Sequence, residues 1–269
     1  MSNSGTIGFF DSGVGGLTIW NEVNKLLPLE NTIYLADSIN APYGEKNQEE
    51  ILKLCIQNVD FLIERNAKMI VVACNTATTQ AIDKLRDLYA IPFIGIEPAI
   101  KPAALKSKTK CIGVLATNGT IESVHFNRTK EHFSNDVKVV TQVGEGLVRA
   151  IEGGLLNSLE LNGILKEHLE ILCKEPIDHL VLGCTHYPLL IPMIEKNIEG
   201  NISIVDPGPS VAKQTERVIN ANYLTNSDPE LPAHKMYSTG RIDVLKSIVE
   251  SFSLSTANQV SYSSLYQPE

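Results

Sequence analysis

The chain has 269 residues, 43% of them hydrophobic, enough to bury a sizeable core as one large domain or two smaller ones. Its formal charge of −8 argues against nucleic acid or an anionic membrane as the main partner, yet leaves room for a small anionic substrate held by local donors. There is no run of about 18 apolar residues, no Lys or Arg before Lys25 to open a secretory signal, and no close pairing among the five cysteines; the thiols read as reduced and the expected location is cytoplasmic.

In chain order, β-rich runs alternate with helix-like stretches. The predicted strands are 6–10, 32–36, 68–73, 93–96, 111–115, 137–140, 179–182 and 202–205. Residues 48–65 place Ile51, Cys55, Val59 and Leu62 at helical spacing, and 162–173 do the same with Leu165, Leu169 and Leu172. From Asn226 the chain is richer in Ser, Pro and Asn. A strand-like 235–238 and a helix-like 241–252 still predict order there. The alternation predicts an α/β fold with mainly parallel sheets.

The chain also echoes itself. Ile7-Gly8-Phe9-Phe10-Asp11-Ser12 resembles Ile112-Gly113-Val114-Leu115-Ala116-Thr117, with Asp11 and Ala116 105 residues apart. Val71–Cys74 resembles Val181–Cys184 at an offset of 110, and Ile96-Glu97-Pro98 resembles Val205-Asp206-Pro207 at 109. Three similar offsets in one order predict two pseudo-symmetric α/β halves. A crossing near Glu97-Pro98 and a return near Asp206-Pro207-Gly208-Pro209 divide the chain into 1–97 with 210–269, and 98–209.

Parallel sheets bind ligands outside the carboxyl ends of their strands. Four polar motifs fall there: Asp11-Ser12-Gly13-Val14-Gly15-Gly16, Cys74-Asn75-Thr76, Thr117-Asn118-Gly119-Thr120 and Cys184-Thr185-His186. The first offers backbone N–H groups to a carboxylate or phosphate. It is a poor nucleotide fingerprint, because Thr18 stands where the third glycine belongs and no Lys follows. Cys74 and Cys184 each end an apolar run, where a helix N-terminus can lower a thiol's pKa. A thiolate removes a proton and a thiol returns one, so two such groups on opposite faces of a ligand invert a stereocentre without a cofactor.

His186 is close enough in sequence to exchange a proton with Cys184, and Asp11 orients or relays to Cys74 if their strands are neighbours. None of the four motifs contains Lys or Arg. A substrate carboxylate is therefore expected on Ser12, Asn75, Thr76, Thr117, Thr120 and Thr185. Pro42-Tyr43-Gly44 reads by composition as a structural turn. Cys55, Cys111 and Cys173 read as small buried hydrophobes. The remaining histidines, 125, 132, 168, 179 and 234, read as surface or core residues. No second pair with ligand spacing supports a metal at Cys184-Thr185-His186.

Together, Phe10–Thr18, Pro42-Tyr43-Gly44, Ala73–Thr78 and Leu182–Leu190 resemble the cofactor-independent aspartate/glutamate racemase family, over about residues 6–208 and more loosely through Tyr237-Ser238-Thr239-Gly240. The resemblance implies an active site between two α/β domains, commonly in a homodimer. It implies interconversion of L- and D-glutamate for peptidoglycan, with aspartate as the nearest rival substrate. By position, Cys74 matches the base for the D-enantiomer and Cys184 the base for the L-enantiomer, assisted by Asp11 and His186. Asp11-Ser12, Tyr43-Gly44 with Pro42 before them, Asn75-Thr76 and Thr185-His186 match the substrate contacts. One segment departs from the family pattern: Glu145 and Arg149 replace two usual prolines, and Glu152, or less readily Glu145, matches an assisting carboxylate. A cysteine-nucleophile hydrolase built on Cys184 and His186, and a non-catalytic amino-acid-binding module, are the alternatives from other classes.

Overall fold

In the computed structural model, residues 5–133, 136–226, 231–252 and 259–265 are described. The elements run β1 (Thr6–Asp11), α1 (Leu17–Leu26), β2 (Thr32–Ala36), α2 (Gln48–Ile63), β3 (Ala67–Val72), α3 (Asn75–Leu88), β4 (Phe93–Gly95), α4 (Ile100–Lys106), β5 (Cys111–Ala116), α5 (Asn118–Ile121), α6 (Val124–Phe133) and β6 (Lys138–Val143). They continue with α7 (Leu147–Glu152), α8 (Leu159–Leu172), β7 (His179–Gly183), α9 (Ile191–Asn197), β8 (Ser203–Val205), α10 (Gly208–Ala221), β9 (His234–Ser238), α11 (Ile242–Ser251) and β10 (Val260–Ser264).

Two sheets result. The first has the order β10-β9-β2-β1-β3-β4 and the second β6-β5-β7-β8, and every pairing in both is parallel. The order β2-β1-β3-β4 is the order β6-β5-β7-β8 over again, so the echo in the sequence is a repeated topology. The first sheet then adds β9 and β10. The expected strand β9 is present, whereas β10 went unpredicted: Val260-Ser261-Tyr262-Ser263-Ser264 lies at a sheet edge, half-buried to exposed, and lacks an apolar run. The rest of the Ser-, Pro- and Asn-rich tail, 227–230, 253–258 and 266–269, lies outside the described residues.

Local chemistry accounts for the helices. Asn47 caps α2 by accepting from the Glu50 N–H at 2.9 Å, Glu49 and Glu50 occupy its first turn, and Ile51, Cys55, Val59 and Leu62 form its buried stripe. Ser158 caps α8 by accepting from Leu161 N–H at 3.0 Å, and Leu161, Leu165, Leu169 and Leu172 are buried along one face. Burying each of these leucines contributes about 1.5–3 kcal/mol. Strands β1 and β5 are almost wholly buried, and the residues at their carboxyl ends meet loops of the other sheet: Asp11 bonds Thr185, and Thr117, next after β5, bonds Thr76. Among the described residues, no helix is long and apolar enough to cross a membrane.

Candidate active site

The carboxyl-end loops of both sheets meet at one small pocket. Ser12, Pro42, Tyr43, Gly44, Cys74, Asn75, Thr76, Thr117, Val148, Cys184, Thr185 and His186 line it. Sequence reasoning missed Val148, whose apolar side chain comes from α7, in a segment expected to contribute only the Glu152 carboxylate. Asp11, Thr120 and Glu152 stand behind the wall rather than in it. Its free volume is about 10 Å³, room for about one water, so a larger ligand enters only if the lining parts.

On the first sheet, β1 and β3 are neighbours, which puts Asp11 beside Cys74. The buried Asp11 carboxylate accepts from Ser12 N–H and Gly16 N–H at 2.7 Å each, and from the Thr185 hydroxyl at 3.3 Å. Burial still pushes its pKa up. Cys74 caps α3, its sulfur accepting from Ala77 N–H at 3.4 Å and lying 3.8 Å from Ser12 Oγ. The expectation that a helix terminus lowers this thiol's pKa is overturned. Burial, with the Asp11 charge added, pushes it well above the ordinary value and outweighs the Ala77 N–H.

The second sheet equips its thiol differently. Cys184 does not begin an α-helix as expected; the short 3₁₀ turn Tyr187–Leu190 follows, with Pro188 inside it, and α9 starts only at Ile191. The Cys184 sulfur lies 3.7 Å from His186 Nδ1, and the far ring nitrogen, Nε2, is 2.6 Å from Glu152 Oε1. Burial opposes charge on the ring, but the bonds and charges of Cys184 and Glu152 prevail and hold His186 well above the usual imidazole pKa. Glu152 reaches the histidine; Glu145 is exposed and offers only its backbone carbonyl, to His168 at 2.9 Å.

The glycine-rich loop does hold a carboxylate, and it is the protein's own. Val14 N–H donates to Glu152 Oε1 at 2.7 Å, and the other oxygen accepts from the Ser38 hydroxyl at 2.7 Å. A Cβ at Gly13 would stand 1.9 Å from Glu152 Oε1, and one at Gly15 2.3 Å from His186 Nδ1. The glycines admit the carboxylate–imidazole pair, which leaves no room there for a phosphate.

Neutral groups make the remaining wall. Thr76 and Thr117 hydroxyls meet at 2.9 Å across the two sheets' loops, and Thr117 bonds Thr120 at 2.9 Å behind. The Asn75 side-chain amide is buried, with neither its oxygen nor its nitrogen hydrogen-bonded among the described residues. Tyr43 lies in a 3₁₀ turn after the cis Ala41–Pro42 bond, as the turn reading predicted, but also lines the pocket. Its phenol donates to Asp37 at 2.5 Å and accepts from Asn58 at 2.9 Å. Outside the pocket, Arg149 and Glu45 form an ion pair across a vestibule of about 370 Å³. Cys55 and Cys111 are buried as expected, whereas Cys173 is exposed, at the carboxyl end of α8.

Residues 18–215 match the model of the Asp/Glu/hydantoin racemase family. A glutamate racemase from Ectopseudomonas mendocina is 41% identical over 244 residues, 90% of this chain and 92% of the relative. The crystal structure of glutamate racemase isoform RacE1 from Bacillus anthracis superposes with a TM-score of 0.84 at 32% identity, covering 98% of both chains. That of the Escherichia coli glutamate racemase, in complex with L-glutamate and the activator UDP-MurNAc-Ala, gives 0.85 at 29% identity, covering 97% of this chain and 98% of the other.

Proposed function

Because the chain belongs to the Asp/Glu/hydantoin racemase family, we propose that it is a racemase interconverting L- and D-glutamate through two cysteine bases. The observation that carries this reading is the pair of buried thiols, Cys74 and Cys184, delivered to one pocket by equivalent strand ends of a repeated topology.

The chemistry follows from the two surroundings. For L-glutamate, Cys184 as thiolate takes the Cα proton, and the electron pair of the broken C–H bond spreads into the α-carboxylate. Cys74, whose burial favours the protonated thiol, gives its proton to the opposite face. The product is D-glutamate, with Cys184 now protonated and Cys74 a thiolate. The reverse reaction exchanges the roles. His186 is in reach to exchange a proton with Cys184, Glu152 holds the ring, and Asp11 sets the field at Cys74. Ser12, Asn75, Thr76, Thr117 and Thr185 supply neutral donors to the substrate's charged ends, with Thr120 supporting Thr117. Asn75 brings an NH2 group and a carbonyl oxygen that no group among the described residues uses. The Pro42-Tyr43-Gly44 turn closes the side.

The wider reading is a cytoplasmic homodimer that supplies D-glutamate for peptidoglycan, its two lobes being 1–97 with 210–269, and 98–209. Heavy water provides the test. L-glutamate incubated with the protein and no added cofactor should gain deuterium at Cα and lose optical activity. Retention of protium and of rotation would sink the proposal, and L-aspartate run alongside separates the rival substrate. Normal turnover by Cys74→Ala would instead favour a cysteine-nucleophile hydrolase that uses Cys184 and His186.

A further inference from the structure

We propose that Ser38 is a positioning residue for proton transfer at Cys184, acting through Glu152 and His186; this rests on the two-thiol reading above. Ser38 is not among the pocket-lining residues. It lies just beyond β2, and its hydroxyl spans 114 positions of sequence to donate to Glu152 Oε2 at 2.7 Å. The other oxygen, Oε1, is shared by Val14 N–H at 2.7 Å and His186 Nε2 at 2.6 Å. Bonds to one oxygen fix a point about which a carboxylate can swing. A bond to the second oxygen fixes its plane, and with it the direction along which the imidazole is held. The ring's opposite nitrogen faces Cys184, so the setting of that plane reaches the sulfur.

Ser38 is itself pinned. It opens the 3₁₀ turn Ser38–Asn40, directly after Asp37, whose carboxylate is gripped by Tyr43 at 2.5 Å, Asn40 at 2.9 Å and Thr239 at 3.1 Å. Ile39 N–H donates to Thr239 Oγ1 at 3.1 Å. Gly240 packs so closely that a Cβ there would stand 2.7 Å from Ser38 Cβ. The turn is thus locked to the Thr239-Gly240 segment just past β9 and to the tyrosine of the pocket wall. The Cys74 side is held by residues of its own strand-end loops and by Thr185, and Ser38 makes no hydrogen bond there.

The equilibrium constant of a racemisation is one, so kcat/KM must fall equally in both directions for any variant. Isotope effects carry the side-specific information. In Ser38→Ala, kcat should drop about 10- to 100-fold in both directions, with KM changed by less than about threefold. The α-deuterium effect should rise with L-glutamate, whose proton Cys184 removes, and fall with D-glutamate, whose proton Cys74 removes. Ser38→Thr, which keeps the hydroxyl, should return both effects to those of the parent. A Ser38→Ala rate within about twofold of the parent overturns the proposal. So does a slower variant in which the two isotope effects change alike, the mark of a merely structural defect. A parent protein that exchanges no Cα proton refutes the racemase reading itself, whatever Ser38 does.

Discussion

The two thiols occupy equivalent places in two sheets of the same strand order, yet their settings differ. Cys74 caps a 14-residue helix, faces a buried aspartate and is driven toward the protonated thiol. Cys184 precedes a 3₁₀ turn and faces an imidazole whose far nitrogen is gripped by a carboxylate. The repeated scaffold fixes where each thiol stands. The loops that follow each strand decide what tunes it. On the two-thiol proposal, a reaction that is symmetric overall runs on unlike acid–base surroundings at its two faces.

The harshest break of this comparison removes one thiol at a time. Cys74→Ser and Cys184→Ser should each lower racemisation about a thousandfold or more, measured by polarimetry in both directions. A smaller loss comes from Glu152→Gln, expected to cut kcat about 10- to 100-fold. Its pH profile tests the asymmetry directly. His186 has a raised folded-state pKa, so the His186–Glu152 attraction is fully present below the ordinary imidazole pKa and disappears as pH rises through the raised value. Removing the Glu152 charge should therefore shift the alkaline limb of the kcat profile to lower pH.

Gly15→Ala would sharpen the contrast by crowding His186. The new methyl would stand 2.3 Å from the buried ring and 2.6 Å from the His186 backbone nitrogen, so the backbone must shift as well, and a loss of about 3 kcal/mol or more in urea unfolding is expected, with impaired turnover. The mildest change is at the mouth. Arg149→Ala removes an exposed ion pair and should leave the unfolding midpoint unchanged and KM within about threefold.

Much of this arrangement was legible in the sequence because strands and strand-end motifs are local signals. The apolar runs before Cys74 and Cys184, and the three matching offsets, sufficed for the α/β architecture and for naming the thiols. Of the local readings that failed, two did so for plain local reasons. Pro188 and the short polar stretch after Cys184 replaced the expected helix with a tight turn, and the serine-rich β10 carried no hydrophobic signature. The seat of Glu152 lay beyond reach for a different reason. Val14 and Ser38 meet it across 138 and 114 positions, and no periodicity reports a bond of that range. The glycine loop did announce an anion, but only the folded chain identifies it as Glu152.

That seat also ties chemistry to shape. Two of the groups that hold Glu152, the Val14 amide and the Ser38 hydroxyl, come from loops of the first sheet, while the carboxylate itself ends α7 beside the second. Pulling the halves apart far enough to admit a ligand to so small a pocket would break those bonds and leave His186 with a loosened brace. Closing would remake them. The work of gathering the ligand and the work of setting the imidazole are then one event, so a weakened seam between the halves should lower affinity and turnover together.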